Sequence, residues 1–180
     1  MRGSAFGWAA HFLIYGVYVM EKNNTCCFFG HRKIIVTERL KLILYNLIED
    51  LIIKENIRIF LFGSNSEFND LCYKAVSVLK KKYPDIKRIY VRTEAPYIEE
   101  SYRDYLLEKY EDTYYPDSLY NAGRATYVKR NIEMIDKSSI CVVYYNENYS
   151  VSGKSGTKIA YNYAITNAKK VFNTFISDMF

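Results

Sequence analysis

From residue 25 onward, short and mostly apolar runs alternate with stretches whose apolar residues recur every three or four positions. The runs are CCFF (26–29), IRIFLF (57–62), IKRIYV (86–91), SICVVYY (139–145) and VFNTF (171–175). Runs of this kind suit strands buried on both faces. Between them, Leu40, Ile43, Leu44, Leu47, Ile48, Leu51 and Ile52 share one helical face, and Thr37 is placed to cap that helix. Phe68, Leu71, Cys72, Ala75, Val76 and Leu79 mark a second helix, which Pro84 stops. Residues 98–110, 122–137 and 157–167 also read as helical, with a Tyr- and Pro-containing loop between the first two. This alternation predicts an α/β, doubly wound, mainly parallel sheet of about five strands, with helices on both faces. One domain, residues 25–180, holds the whole pattern, and no internal repeat interrupts it.

Residues 1–24 form an appendage. The stretch AFGWAAHFLIYGVYVM (5–20) is almost free of charge. It is short against the roughly 20 residues of a membrane span. It resembles a signal-peptide core, yet no small-residue cleavage site follows before Cys26. A third reading places the true start at Met20. Membrane attachment is expected only if residues 5–20 are a real anchor.

Composition narrows the classes. Of 180 residues, 49% are hydrophobic and 25% charged, which is ordinary for a globular domain. The net charge of +5 fits a site for phosphate-bearing ligands and does not demand DNA or RNA. The basic run Lys80-Lys81-Lys82, with Lys87 and Arg88, reads as a solvated helix end, and the 19 tyrosines, scattered through every segment, read as half-buried filler. Nucleic acid is therefore not expected as a partner. Cys26, Cys27, Cys72 and Cys141 form no C-x-x-C pair and read as buried thiols of a reduced, cytoplasmic protein. With only His11 and His31 available, no metal site is expected, and no cofactor is implied.

Three strand ends are chemically distinctive. Gly30-His31-Arg32 closes the first strand; Arg32 can pair with phosphate and His31 can donate to it. Gly63-Ser64-Asn65 closes the second. Ser152-Gly153-Lys154-Ser155-Gly156-Thr157 opens a helix, and offers glycine backbone, two hydroxyls and free N–H groups to an anion. The spacing is not that of a Walker A loop. Arg130, on the helix before the fourth strand, is either another donor or a solvated side chain. Strand ends in a doubly wound sheet share one edge, so these donors can converge on one ligand.

Taken together, these residues resemble the SLOG superfamily, the Rossmann-like group that includes LOG phosphoribohydrolases and the DNA-processing protein DprA, and most closely its YpsA-like branch. Phe29-Gly30-His31-Arg32 is similar to that branch's T-G-H-R strand end, with Phe in place of Thr. Arg130-Asn131-Ile132-Glu133-Met134-Ile135-Asp136 matches its R-N-x-x-M-x-D element, and Ser155-Gly156-Thr157 its S-G-T. The resemblance covers about residues 25–176. It implies a Rossmann-like fold, a nucleotide-like ligand and, as in LOG relatives, a homodimer. LOG enzymes use an arginine four residues before a methionine, which is Arg130 here, and a glutamate that falls on Ala160. Glu94, Glu99 or Glu133 would have to replace that glutamate. Asp70 falls where the family often has an acidic residue, suited to a ribose hydroxyl or simply to a helix's first turn.

The expected function is a binding or sensing domain for a nucleotide or nucleotide-derived ligand. Gly30, His31, Arg32, Gly63, Ser64, Asp70, Arg130, Gly153, Ser155, Gly156 and Thr157 are its expected contacts. The alternatives are an N-glycosidase in which Arg130 takes part and no other catalytic residue is assigned, and DprA-like single-stranded DNA binding.

Overall fold

The computed structural model describes residues 22–63, 65–148 and 155–176. The expected contacts Ser64 and Gly153 lie outside the described residues, as does the apolar stretch 5–20. Among the described residues, no helix is long and apolar enough to cross a membrane.

The run at 26–29 becomes the middle of the sheet. It lies in β1, Thr25–Gly30, whose side chains alternate between two separate cores. Cys26 and Phe28 enter one core, Cys27 and Phe29 the other. Five further strands follow: β2 (Ile59–Phe62), β3 (Lys87–Val91), β4 (Asp112–Tyr114), β5 (Ile140–Tyr144) and β6 (Lys170–Asn173). All neighbours pair in parallel, in the order β4-β3-β2-β1-β5-β6.

The helices are α1 (Glu38–Lys54), α2 (Glu67–Lys80), α3 (Glu100–Leu107), α4 (Thr126–Asp136) and α5 (Gly156–Thr166). Thr37 caps α1 by accepting the Leu40 N–H at 3.1 Å, as its position predicts. Leu40, Leu44, Ile48, Leu51 and Ile52 of α1 join Phe68, Leu71, Cys72, Val76 and Leu79 of α2 over Phe28, Phe60 and Phe62. On the opposite face, Met134 and Ile135 of α4 and Ala160 and Ala164 of α5 cover Cys27, Phe29, Leu61, Ile89 and Val143. The chain runs outward from β1 to β4, then returns to lay β5 against the other side of β1. The order therefore reverses between β1 and β5, where ligands of such sheets collect beyond the carboxyl ends.

β4 is the strand the apolar pattern does not announce. Its three residues are all half-buried, so they show neither a run nor an alternation. Glu111, just ahead of it, holds it in place. The Glu111 carboxylate accepts from Arg88 Nη2 at 2.7 Å, Arg88 Nε at 3.1 Å and the Arg88 N–H at 2.7 Å. Burial alone would raise the Glu111 carboxyl, but these hydrogen bonds and the Arg88 charge outweigh it and hold the group below its usual range. A depressed carboxyl contributes stability above its unfolded pKa, about 4.3, and loses it as pH falls through the folded value. Glu111→Gln should therefore cost about 1–3 kcal/mol at pH 7 and flatten the fall in melting temperature between about pH 5 and pH 3. An acid dependence identical to wild type would remove the role assigned to this carboxylate.

Candidate functional site

The carboxyl end of β1 is built from close contacts. A Cβ at Gly30 would lie 2.7 Å from Phe68 Cδ1, so only glycine lets α2 approach here. His31 continues the pairing of β1 with β5: its N–H donates to Tyr144 O at 3.1 Å. His31 is 4% exposed, and its Nε2 accepts the Asn146 N–H at 2.9 Å. That bond puts the neutral ring's proton on Nδ1. Burial pushes the His31 pKa below its ordinary value, against a weaker opposing pull from the Asn146 backbone. The ring thus braces the two strands at the point where the order reverses. Thr157 does similar work, donating its hydroxyl to Gly30 O at 3.0 Å and tying the start of α5 to β1. Ser155 caps α5 by accepting the Lys158 N–H at 3.3 Å. At Gly156 an added Cβ would meet only Val128 Cγ2, at 4.0 Å, so packing does not demand glycine there.

Arg32 is exposed and lines a hollow of about 380 Å³ with Lys33, Asn65, Ser66, Glu67 and Asp70. Ser66 caps α2, and its hydroxyl accepts the Asn69 N–H at 3.2 Å. Glu67 turns to Lys33 Nζ at 2.8 Å and to the Ile34 N–H at 2.9 Å. With Glu67 and Asp70 in its first turn, this helix end already carries the negative charge its dipole favours.

The second grouping lies on the α4 face. A Cβ at Gly63 would come within 2.8 Å of both Arg130 Nε and Met134 Sδ. The four-residue spacing of Arg130 and Met134 puts both on one face of α4, directly against the backbone at the end of β2. Arg130 is 3% exposed, so it is not the solvated side chain that its helix position alone would allow. Its Nη2 donates to Asn131 Oδ1 at 3.1 Å, its Nε has no partner, and its guanidinium lies 5.6 Å from the Tyr127 ring centre. Among the described residues, no carboxylate lies within 4.0 Å of it. Burial lowers its pKa from the usual arginine range, opposed by Tyr90, Glu94 and Tyr127.

Every described contact expected from the sequence lies at the carboxyl edge of the sheet or on a helix bordering it, but the set is divided. Arg32 and Asp70 face the hollow at α2, Arg130 packs from α4 against Gly63, and Gly30, His31 and Thr157 join the strands between them. Ala160, where a LOG-type glutamate would stand, is wholly buried among core residues. Glu133 is engaged with Ser118 and Lys137. Glu94 accepts from the Tyr90 hydroxyl at 2.9 Å, near enough to act on the charge of Arg130. One buried cation was not singled out from the sequence. Arg92 follows β3 directly and is 7% exposed, and the signal for it was an arginine closing an apolar run, as in Gly30-His31-Arg32.

No protein-family model matches the chain, and no curated protein matches it. Among solved structures, the fold is similar to that of DNA processing protein A from Helicobacter pylori, a protein whose structure was described for its single-stranded DNA binding mode. The TM-score is 0.55 at 14% sequence identity, over 86% of this chain and 66% of that one. The chain thus spans just under two thirds of its structural neighbour. The expectation that nucleic acid is not a partner does not stand. It rested on modest net charge and on tyrosines read as filler, and a protein of the same fold binds single-stranded DNA. At this identity the likeness is one of architecture: the chain has a Rossmann-like, six-stranded parallel α/β fold of the kind found in DNA processing protein A.

Proposed function

We propose that the chain binds a nucleotide or nucleotide-derived ligand through its phosphate, at the carboxyl edge of the sheet between the end of β2 and α4. The observation that carries this reading is Arg130: a buried guanidinium with an unpartnered Nε and no carboxylate in reach among the described residues. Burying a cation without an anion is costly, and a bound phosphate removes that cost with charge-assisted hydrogen bonds. Tyr127 supports a nucleotide over bare phosphate. It is 64% exposed with Arg130 near its ring, so it can stack on a base. The resemblance to the YpsA-like branch of the SLOG superfamily points the same way. Binding without turnover is favoured because the position of the LOG-type glutamate is a sealed alanine.

Calorimetry with a panel of nucleoside monophosphates and diphosphates tests this. At least one should bind, and Arg130→Gln should weaken it by about 10- to 100-fold while leaving the fold intact. Failure of every nucleotide to bind the folded wild type would end this reading. The structural neighbour favours a second reading, single-stranded DNA as the partner. That reading requires a gel shift whose strength falls steeply with salt. Absence of any shift at low salt would exclude it.

A further inference from the structure

A groove of about 700 Å³ runs between α1 and α2, on the face of the sheet opposite α4. Ties at its two ends fix how these helices lie. Glu67 accepts from Lys33 and the Ile34 N–H at one end, and Glu49 accepts from Lys82 and Tyr83 at the other. Each tie joins residues 33 or 34 positions apart, so the helices run side by side in one direction, with Leu42 about level with Ala75.

Three apolar side chains of the lining stand in solvent: Val36 is 45% exposed, Leu42 61% and Val78 54%. Val36 lies towards one end, Val78 towards the other and Leu42 between them. Apolar groups gathered in one hollow, rather than scattered singly, mark an interaction surface.

Charge selects the occupant. Asp70 and Lys74 are exposed in this lining, and among the described residues neither forms an ion pair within 4.0 Å. They are opposite in sign and four residues apart on α2, so they share one face of the helix. The lining also holds Glu38, Lys41 and Glu67, which leaves both signs interspersed and suits neither a strongly acidic nor a strongly basic partner. The face fits itself instead. A half-turn about an axis through the groove near Leu42 exchanges its ends. Val36 of one copy then comes to Val78 of the other, and, within a helical turn, each Asp70 comes to the other copy's Lys74. Ala75, small and beside Leu42, leaves room for close approach.

We infer that this groove is an isologous interface, and that its occupant is a second copy of the chain packed with α2 antiparallel to α2. The apolar side chains supply the affinity, and the two Asp70–Lys74 pairs set the register. An interface centred on one groove falls at the small end of the range for specific complexes, so dissociation is expected on the order of 1–100 μM. The ligand site at α4 stays open in both copies.

Sedimentation velocity on the full chain, from about 1 μM to about 500 μM, tests this. Wild type should pass from monomer to dimer across that range. Leu42→Glu should weaken the dimer by at least about tenfold. Asp70→Lys and Lys74→Asp should each weaken it by about 3- to 30-fold, because each sets like charges together twice. The double variant Asp70→Lys/Lys74→Asp restores opposite charges and should recover most of the wild-type affinity. A role of these residues in α2 alone would not produce that recovery. A chain that stays monomeric at the highest concentration overturns the inference and leaves the groove to a different protein. A dimer indifferent to Leu42→Glu and to both single charge reversals lies elsewhere on the molecule and overturns it equally. Should Leu42→Glu not fold, the charge cycle decides: a double variant no better than the singles removes the proposed pairing.

Discussion

Phe28→Ala should lower stability by about 3–5 kcal/mol, and the melting temperature by roughly 6–20 °C for a chain of this size. Phe28 is fully buried at the centre of β1, stacked on Phe62 at 5.0 Å and on Phe60 at 5.9 Å between ring centres. It also belongs to the core formed with α1 and α2, so its loss leaves a cavity whose walls come from two strands and two helices. Such walls collapse poorly, because each is fixed by its own hydrogen-bond ladder. Typical domains have only about 5–15 kcal/mol to lose, so this single change consumes a large share. Thermal unfolding followed by circular dichroism measures it. A loss under about 1 kcal/mol would mean that the three stacked phenylalanines are not the keystone of that core.

Gly63→Val should be nearly as damaging, for the opposite reason. The added Cβ lands within 2.8 Å of Arg130 Nε and Met134 Sδ, and within 2.9 Å of Arg130 Cδ. Met134 is buried in the core and Arg130 has almost no exposed surface, so neither has room to retreat. Overpacking of this kind costs about 1–3 kcal/mol. The side chain that must move is the proposed phosphate anchor, so nucleotide affinity should fall together with the melting temperature. Gly63→Ala should give a smaller version of both effects. If Gly63→Val keeps its nucleotide affinity at full strength, Arg130 is not the anchor.

The sheet's five apolar strands were legible because each is a short, mostly apolar run between helical stretches, and α1 because Thr37 and seven spaced apolar residues agree on one helix. β4 was not, because Asp112, Thr113 and Tyr114 carry no pattern of their own and depend on the Arg88–Glu111 pair, 23 residues apart in sequence. The site divides in the same way. Gly30-His31-Arg32 could be read as a strand end rich in donors. That His31 Nε2 accepts the Asn146 N–H could not, since the two are 115 residues apart and meet only through the β1–β5 pairing. The Arg130–Met134 spacing carried its information openly: residues four apart share a helix face, and Met134 belongs to the core. What the pattern lacked was the far wall, the Gly63 backbone that turns this arginine from a solvated side chain into a buried one.

The reversal of strand order between β1 and β5 has a consequence for the chain as it is made. β1 can pair with β2 soon after both leave the ribosome, but its other flank stays bare until β5 follows. At about 5–20 residues per second, the 115 residues separating His31 from Asn146 take roughly 6 to 23 s to synthesise. Throughout that interval a central, buried strand of the sheet presents unpaired N–H and C=O groups to any extended peptide nearby. The nascent chain is therefore most exposed to strand-to-strand aggregation in the middle of its own translation, and the danger passes only when residues 140–144 close the central ladder.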